Sequence, residues 1–220
     1  RQAMRNTFVY AGLSVLIIVP LALALALLVY RVAVRGSGVL RAVLFSTYMV
    51  PTIAVALVWS KLYSPSEGPI NQVLGWVGIA PQPWLSSPDT ALRSLVLLNV
   101  WQQVGYFTVL MVAGLTQIPS SVYEAAAIDG ASGPRLLFRI TVPLLRRTLL
   151  FVVVIAPINA IQVFEPVAAI TQGGPVGATN TMTFFIRKVG IERTNGGMGS
   201  AMAVMLLLAK DVPDGAGEVG

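Results

Sequence analysis

Polar side chains recur at regular intervals within two of the most apolar stretches of the chain. Spacings of three and four residues bring side chains to one face of a helix, so each set forms a polar stripe. Such a stripe could hydrogen-bond a polar solute in a passage, or it could hydrogen-bond a neighbouring helix. Both interpretations stay open for each amide, and we take all the residues as candidates for a solute path. The two sets are Asn99, Gln102, Gln103 and Tyr106, and Asn159, Gln162 and Glu165.

Residues that commonly carry catalysis are missing from the sequence. There is no histidine and no cysteine among the 220 residues, which removes the commonest general base near neutral pH and every thiolate ligand. No phosphate-cradling loop of the type Gly-x-x-x-x-Gly-Lys-Ser/Thr occurs, because none of Lys61, Lys188 and Lys210 follows a glycine loop. We therefore expect no catalytic, metal or cofactor-binding residues, and nothing in the sequence supports an intramembrane enzyme.

The composition indicates what kind of element positions the stripes. Hydrophobic residues make up 55% of the chain and charged residues only 11%, whereas soluble domains carry about 25% charged residues. A chain with so few charges could not cover a surface that faces water, and we interpret it as an integral membrane protein. The net charge of +6 is dispersed, which fits loops and lipid headgroups rather than nucleic-acid binding.

Apolar segments predict the spans. A membrane-spanning helix needs about 20 mostly apolar residues, and the internal prolines Pro20, Pro51 and Pro157 predict kinks that do not break their spans. A shorter segment, Met198–Ala209, reaches only about 18 Å, so we expect a truncated last span ahead of a disordered tail at 210–220. The fold class is therefore an all-α, polytopic transmembrane bundle of about five spans. Four segments qualify or nearly so: Phe8–Tyr30, Ala42–Ser60, Ser94–Thr116 and Thr148–Thr171.

The charges of the connections predict which side of the membrane each one faces. Residues 31–41 carry three arginines and no acid, which is typical of a cytoplasmic loop. Residues 61–93 balance two basic against two acidic residues and are rich in Pro, Gly and Ser, which fits the outer side. Alternation then places 116–147 inside and 172–197 outside.

All four tryptophans flank or lie within residues 61–93. Indole rings prefer the membrane–water boundary, and we assign Trp59 and Trp101 to such a belt. Trp76 and Trp84 lie in the middle of the connection, where a boundary position and an external docking surface are equally good interpretations.

A polar insert, Tyr123 to Pro143 with the sequence YEAAAIDGASGPRLLFRITVP, separates two apolar segments. Ser121 and Glu124 have the spacing of a capping box, which predicts the start of a helix. Gly130 can adopt the left-handed conformation that ends a helix, and Pro134 is suited to the first turn of the next. The residues alone leave two interpretations, a self-contained helix–turn–helix elbow or a docking knob for a partner.

The spacing within this insert resembles the EAA signature of binding-protein-dependent ABC transporter permeases: Glu-Ala-Ala, three residues, Gly, nine residues, Ile-x-Leu-Pro. Val142 stands where the family has leucine. The segments GPINQVLGWVGIAPQPWL and TQGGPVGATNT resemble outer-side segments of the carbohydrate-uptake branch, the sugar and glycerol-phosphate permeases. The resemblance covers nearly all of residues 6–205. The matching residues are Glu124, Ala125, Ala126, Gly130, Ile140 and Pro143.

The resemblance implies a permease transmembrane domain over residues 1–209, with the family's first span missing and its last span truncated. It implies ATPase coupling by the elbow and contacts with a binding protein by outer-side residues. The implied partners are a cytoplasmic ATP-binding-cassette ATPase dimer that holds ATP and Mg, a second permease subunit, an extracytoplasmic solute-binding protein and membrane lipid, with no nucleic acid. The coupling residues would be Glu124, Ala125, Ala126, Asp129, Gly130, Ile140 and Pro143, and the binding-protein contacts Trp76, Trp84, Gly173, Gly174 and Pro175.

The expected function is thus that of a permease subunit of an ATP-driven importer in a bacterial or archaeal inner membrane, with a sugar or sugar derivative as solute. The alternative is a secondary transporter or channel that works alone. That alternative predicts charged residues along the path and often internal repeats. Glu165 is the only charged residue within the four predicted spans, and the sequence has no convincing repeat.

Overall fold

A computed structural model describes residues 1–32, 37–192 and 196–210, and over these ranges the chain forms helices and no strand. The predicted disordered tail at 210–220 is wrong at Lys210, which ends a helix, and its remaining residues, 211–220, lie outside the described ones, as does Arg35 of the 31–41 connection. Three π-helical turns, at Leu137–Thr141, Val167–Thr171 and Lys188–Glu192, interrupt or extend the α-helices. The α-helices are α1 (Gln2–Val32), α2 (Ser37–Met49), α3 (Thr52–Leu62), α4 (Pro69–Trp76), α5 (Pro88–Thr116), α6 (Ser120–Ile128), α7 (Gly133–Leu136), α8 (Val142–Leu144), α9 (Arg146–Ile161), α10 (Met182–Arg187) and α11 (Gly196–Lys210).

Fewer helices can cross a membrane than the sequence predicts. Among the described residues, Gln2–Tyr30 and Pro88–Thr116 are long and apolar enough by themselves. The number rises to four if each of two bent helix pairs counts as one span. Helix α11 has 15 residues and therefore reaches about 22 Å, short of a hydrocarbon core of about 30 Å. The prediction of about five spans is corrected to between two and four over the described ranges.

The second predicted span, Ala42–Ser60, is not continuous. Helix α2 ends at Met49 and α3 begins at Thr52, so the prediction that Pro51 leaves the span intact is wrong. Pro51 has no N–H to donate, and its ring disfavours the helical conformation of the residue before it. Its own backbone is extended, with φ −54° and ψ 128°, and it serves as the N-cap of α3. Pro20 and Pro157, in contrast, remain inside α1 and α9, as predicted.

The fourth predicted span, Thr148–Thr171, is also shorter as a helix than expected. Helix α9 begins at Arg146 and ends at Ile161, and the chain continues through a turn to the π-helical segment Val167–Thr171. Gln172 then adopts a left-handed conformation with φ 49° and ends that segment. Glu165, which the sequence places inside the span, therefore lies beyond the end of α9.

The structure divides into two compact units. The first contains Arg1–Leu13, Pro51–Leu98 and the residues from Ile158 onward, and the second contains Ser14–Val50 and Asn99–Pro157. The core of the first unit includes Tyr10, Ala56, Tyr63, Leu95 and Val167, and that of the second includes Ile18, Ala26, Phe107, Met111 and Leu145.

Side chains that point away from these cores remain apolar. Leu16 is 70% exposed and Leu150 is 63% exposed. Lipid solvates such side chains as well as a protein core does, so their exposure is expected for helices embedded in a bilayer.

Small residues permit close helix contacts in the second unit. A Cβ added at Gly105 of α5 would overlap the backbone carbonyl of Leu44 in α2, and it would lie 3.3 Å from Leu44 Cα. A Cβ at Gly114, further along α5, would lie 2.8 Å from Leu145 Cδ1. Both glycines therefore act as contact points at which a neighbouring backbone or side chain packs directly against α5.

Candidate coupling elbow and solute path

The insert that follows α5 begins with α6. Its N-cap is Pro119, and no side chain caps the helix there. Ser121 and Glu124 both lie inside α6 and both are exposed. The predicted capping box is therefore wrong, because the N-cap is Pro119, two residues before Ser121, and the Ser121 hydroxyl is no longer placed to accept from the free N–H groups.

The end of α6 follows the glycine signal. Gly130 has φ +71°, a conformation that costs a glycine little because it has no Cβ. Its N–H donates to the carbonyl of Ala127 (3.1 Å), and the Ala131 N–H donates to that of Ala126 (2.9 Å). These two bonds form a Schellman motif, which satisfies carbonyls at the helix end and turns the chain sharply.

A second helical segment begins directly after this turn. Ser132 is extended, and Pro134 lies in the first turn of α7, where its missing N–H costs nothing. The segment continues through the π-helical turn at Leu137–Thr141 into α8. At Leu145 the direction changes, and Gly133–Leu144 is bent by 74° from α9.

Most of the predicted coupling residues lie on the surface of this elbow. Glu124, Ala125, Asp129, Gly130 and Pro143 are exposed, Ile140 is half-buried, and Ala126 is buried at 4% exposure. Three large apolar side chains that no sequence pattern singled out are also exposed there: Ile128 (87%), Phe138 (68%) and Leu144 (50%). The available signal was a large apolar residue directly beside a charged one, because Ile128 precedes Asp129 and Phe138 precedes Arg139.

An aromatic contact holds the elbow against α1. The rings of Tyr123 in α6 and Tyr30 in α1 have centroids 6.5 Å apart. Such pairs typically contribute about 0.5–1.5 kcal/mol beyond the area they bury. The contact ties α6 to the end of a long apolar helix of the same unit.

In the second unit, Gln102 lies at the interruption between α2 and α3. Its side chain is 4% exposed, and its Nε2 donates to the Val50 carbonyl at 3.1 Å. Pro51 cannot continue the helix, so this carbonyl needs a donor from elsewhere. The Thr47 hydroxyl in turn donates to the Gln102 backbone carbonyl at 3.4 Å. Gln102 therefore satisfies a carbonyl that the break in the helix leaves free. This is the interpretation in which the amide hydrogen-bonds a neighbouring helix.

The other members of the same stripe have different surroundings. Tyr106 stacks on Tyr48, with ring centroids 4.5 Å apart and an angle of 17° between the planes. Asn99 and Gln103 are half-buried. The Gln103 Oε1 atom is buried and has no hydrogen-bond partner within the described part of the chain. An unsatisfied amide oxygen in an apolar surrounding is costly, and it is a group that a polar solute could satisfy.

The second predicted set, Asn159, Gln162 and Glu165, belongs to the first unit. Asn159 is half-buried, whereas Gln162 and Glu165 are exposed beyond the end of α9. Close by in sequence, Phe164 stacks on Phe184 at 6.3 Å, and the Arg187 guanidinium lies 4.9 Å from the centre of the Phe164 ring. A charge over an aromatic face is stabilised by the ring quadrupole, and the sequence analysis did not find this cluster.

The 61–93 connection is held by one amide. Asn71 is buried, and its Oδ1 accepts the Trp84 indole N–H at 2.8 Å while its Nδ2 donates to the carbonyls of Pro65 and Gln82. The Tyr63 hydroxyl donates to the Ser94 carbonyl at 2.9 Å, and burial raises its pKa, so it stays protonated. Of the two predicted docking tryptophans, Trp84 is fixed by this network and Trp76 is 83% exposed.

The segment that contains Gly173, Gly174 and Pro175 is tied to the start of α1. Asn6 is buried, and its Nδ2 donates to the carbonyls of Gly177 and Asn180 at 2.9 and 3.1 Å. The Met182 N–H donates to the hydroxyl of Thr7 at 2.9 Å. These bonds give residues 172–182 a defined shape in the first unit.

A family model described as the binding-protein-dependent transport system inner membrane component matches residues 18–210. The chain is 36% identical over 208 residues to the trehalose/maltose transport system permease protein MalF of Thermococcus litoralis, covering 93% of this chain and 70% of that protein. It is 33% identical to the sn-glycerol-3-phosphate transport system permease protein UgpA of Agrobacterium fabrum, covering 94% and 70%.

A solved structure has the same fold. It is a chain of the bacterial alginate ABC transporter crystallised in complex with alginate pentasaccharide-bound periplasmic protein. The TM-score is 0.86 at 24% sequence identity, and the match covers 96% of this chain and 74% of that one.

Proposed function

Because the chain belongs to the binding-protein-dependent transport system inner membrane component family, we propose that it imports a sugar or sugar derivative as a permease subunit of an ABC transporter. The support for the solute class comes from relatives named for trehalose and maltose, for sn-glycerol-3-phosphate and for diacetylchitobiose. The relatives are transport permeases rather than enzymes, and we assign ATP hydrolysis, with its ATP and Mg, to a separate cytoplasmic ATPase dimer.

The observation that carries the coupling role is the exposed apolar surface of the elbow. Ile128 is 87% exposed at the end of α6, and Phe138 is 68% exposed in the segment that follows. Both flank the Schellman turn at Gly130, which fixes the direction of the two helical segments. An apolar protrusion on a rigid turn is suited to a groove on a partner, and we propose that the groove belongs to the ATPase.

The remaining partners and the location complete the proposal. A second permease subunit pairs with this chain, and an extracytoplasmic binding protein delivers the solute to the 61–93 and 172–197 connections. The elbow faces the cytoplasm of a bacterium or archaeon, as the arginines of the 31–41 connection favour. When the ATPase closes on ATP, it moves the elbow, and the bend at Leu145 passes that movement to α9.

For the solute path we propose the polar stripes of the two units, each as a contributor. The buried, unsatisfied Gln103 Oε1 and the exposed edge of the stacked pair Tyr48–Tyr106 suit a hydroxyl-rich solute, since sugars offer donors to amides and apolar faces to aromatic rings. Asn99, Asn159 and Gln162 supply further amides.

The test is transport by the complete complex in proteoliposomes, with the ATPase, the second permease and the binding protein present. Ile128→Glu places a charge on the apolar protrusion, and we expect ATP-driven uptake to fall about tenfold or more, as for a central residue of an interface. Gln117→Glu is the matched control, because Gln117 is exposed in the turn ahead of α6 and receives the same charge. It should leave uptake unchanged.

Three outcomes would contradict different parts of the proposal. Undiminished uptake by Ile128→Glu would remove the coupling role of the elbow. Uptake that continues without the ATPase would indicate a transporter that works alone. ATP-driven uptake of an amino acid, with neither a disaccharide nor a glycerol phosphate transported, would remove the sugar class and leave the coupling intact.

A further inference from the structure

A groove of about 700 Å³ lies in the first unit between the beginnings of α1 and α5. One wall is a single face of α1, where lining residues recur every three or four positions. The other walls are the first turns of α5 and the 172–182 segment. The lining residues from α1 are Gln2, Arg5, Asn6, Val9 and Leu13, and those from α5 are Pro88, Asp89, Leu92 and Arg93.

The polarity of the groove changes along its length. The charged lining residues are Arg5, Arg93 and Asp89, with two positive charges and one negative charge. Val9 and Leu13 follow on α1, and Leu13 lies about 12 Å along the helix axis from Arg5. With Arg5 at the depth of the lipid headgroups, this distance would place Leu13 among the acyl chains.

The shape of the groove is fixed by the hydrogen bonds of its third wall. Asn6, which itself lines the groove, holds the carbonyls of Gly177 and Asn180, and Gln2 Nε2 donates to the Val176 carbonyl at 3.5 Å. The two arginines and Asp89 are exposed. The groove is therefore built before a ligand arrives, and its charged groups are free to turn toward one.

We propose that this groove binds a phospholipid with a primary ammonium headgroup, phosphatidylethanolamine being the example. The guanidinium groups of Arg5 and Arg93 hold the phosphodiester, because their planar N–H donors match phosphate oxygens. Asp89 accepts hydrogen bonds from the ammonium group. An acyl chain lies against Val9, Leu13 and Leu92.

Two features favour this occupant over others of similar charge. A soluble phosphate ester would leave the apolar end of the groove uncovered, whereas an acyl chain covers it. A headgroup with a second negative charge would place that charge beside Asp89, whereas an ammonium group neutralises that carboxylate. The two positive charges and one negative charge thus complement a phosphate joined to an ammonium group. The inference does not depend on the transported solute.

The experiment is native mass spectrometry of the full-length permease in its assembled complex, delipidated and titrated with single lipids. We expect phosphatidylethanolamine to bind about fivefold more tightly than phosphatidylcholine, whose quaternary ammonium has the same charge but no N–H donor. Arg5→Gln combined with Arg93→Gln should weaken both lipids about tenfold or more. Asp89→Asn should remove most of the preference, because it weakens phosphatidylethanolamine, which loses hydrogen bonds and charge attraction, more than phosphatidylcholine, which loses charge attraction alone.

A matched control removes the same charge elsewhere. Arg135→Gln combined with Arg139→Gln changes two exposed arginines that do not line the groove, and it should leave both affinities unchanged. Because Arg5 and Arg93 are exposed, the groove variant should keep the melting temperature of the wild type. Equal weakening by the two double variants would reduce the effect to overall charge and overturn the proposal.

Two further results would overturn it through a different occupant. Glycerophosphoethanolamine, which carries the headgroup without acyl chains, should not compete at equal concentration; full competition would indicate a site for soluble phosphate esters. Phosphatidylethanolamine should also slow maleimide labelling of a Val9→Cys variant. Labelling that is blocked equally with and without lipid would show that another segment of the protein covers the groove.

Discussion

Gly105 provides the sharpest test of the packing in the second unit, because its neighbour is backbone. In the substitution Gly105→Ala the new Cβ would lie 2.5 Å from the Leu44 carbonyl carbon, about 1 Å inside the ordinary contact distance of about 3.5 Å. No side-chain rotation can relieve the overlap, so α2 and α5 must separate by roughly that amount. Overpacking of this kind costs about 1–3 kcal/mol, and the better helix propensity of alanine returns at most about 1 kcal/mol.

The matched control is Gly12→Ala in α1, where an added Cβ meets nothing within 4 Å. It gains the same helix propensity without the overlap. For a net loss of about 1–2 kcal/mol, we expect the Gly105 variant to melt about 2–8 °C lower than wild type in detergent, at about 2–4 °C per kcal/mol for a chain of this size. The Gly12 variant should melt at or above the wild-type temperature. Equal melting temperatures for the two variants would refute the close approach of α2 to Gly105.

Two further predictions concern buried amides. Gln102→Leu leaves the Val50 carbonyl without its 3.1 Å donor and should lower the free energy of unfolding by about 1–3 kcal/mol in thermal melts. Gln103→Leu removes a buried oxygen that has no partner in the described ranges, so it should leave that free energy unchanged or raise it. Equal losses of stability in the two variants would contradict both assignments. Asn71→Leu removes the acceptor of the Trp84 indole N–H and should speed protease cleavage within residues 63–87 about fivefold or more, for about 1 kcal/mol per lost bond; an unchanged cleavage rate would show that the network does not hold this connection.

The apolar segments predicted where helices lie better than where they end. Phe8–Tyr30 and Ser94–Thr116 fall inside α1 and α5, because long uninterrupted apolar runs leave few alternatives. The break at Pro51 was not predictable from proline alone, since Pro20 and Pro157 stay within their helices. What differs at Pro51 is a donor from elsewhere, the Gln102 side chain, and a contact between residues 50 and 102 leaves no local signal in the sequence.

The two boundaries of α6 in the elbow also differ in how far the sequence predicts them. The glycine at 130 determines its own conformation, so the end of α6 follows from one residue. The start of α6 could be set by Pro119 or by a Ser121 side chain acting as the N-cap, and the spacing of residues alone does not distinguish the two. The groove between α1 and α5 was missed because its charges are 88 positions apart in sequence, at Arg5 and Arg93. Only the fold places them on one cavity.

The bend at Leu145 joins two helical segments, Gly133–Leu144 and α9, at a sharp corner. Leu145 is 1% exposed and packs against α5 at Gly114, so the corner is seated on a helix that does not belong to either segment. The segment from Gly133 to Leu144 is about 18 Å long. Under the proposed coupling, a push on the tip of this segment would rotate α9 about a fixed pivot instead of shifting it along its axis, and the absence of a side chain at Gly114 sets how closely Leu145 packs there.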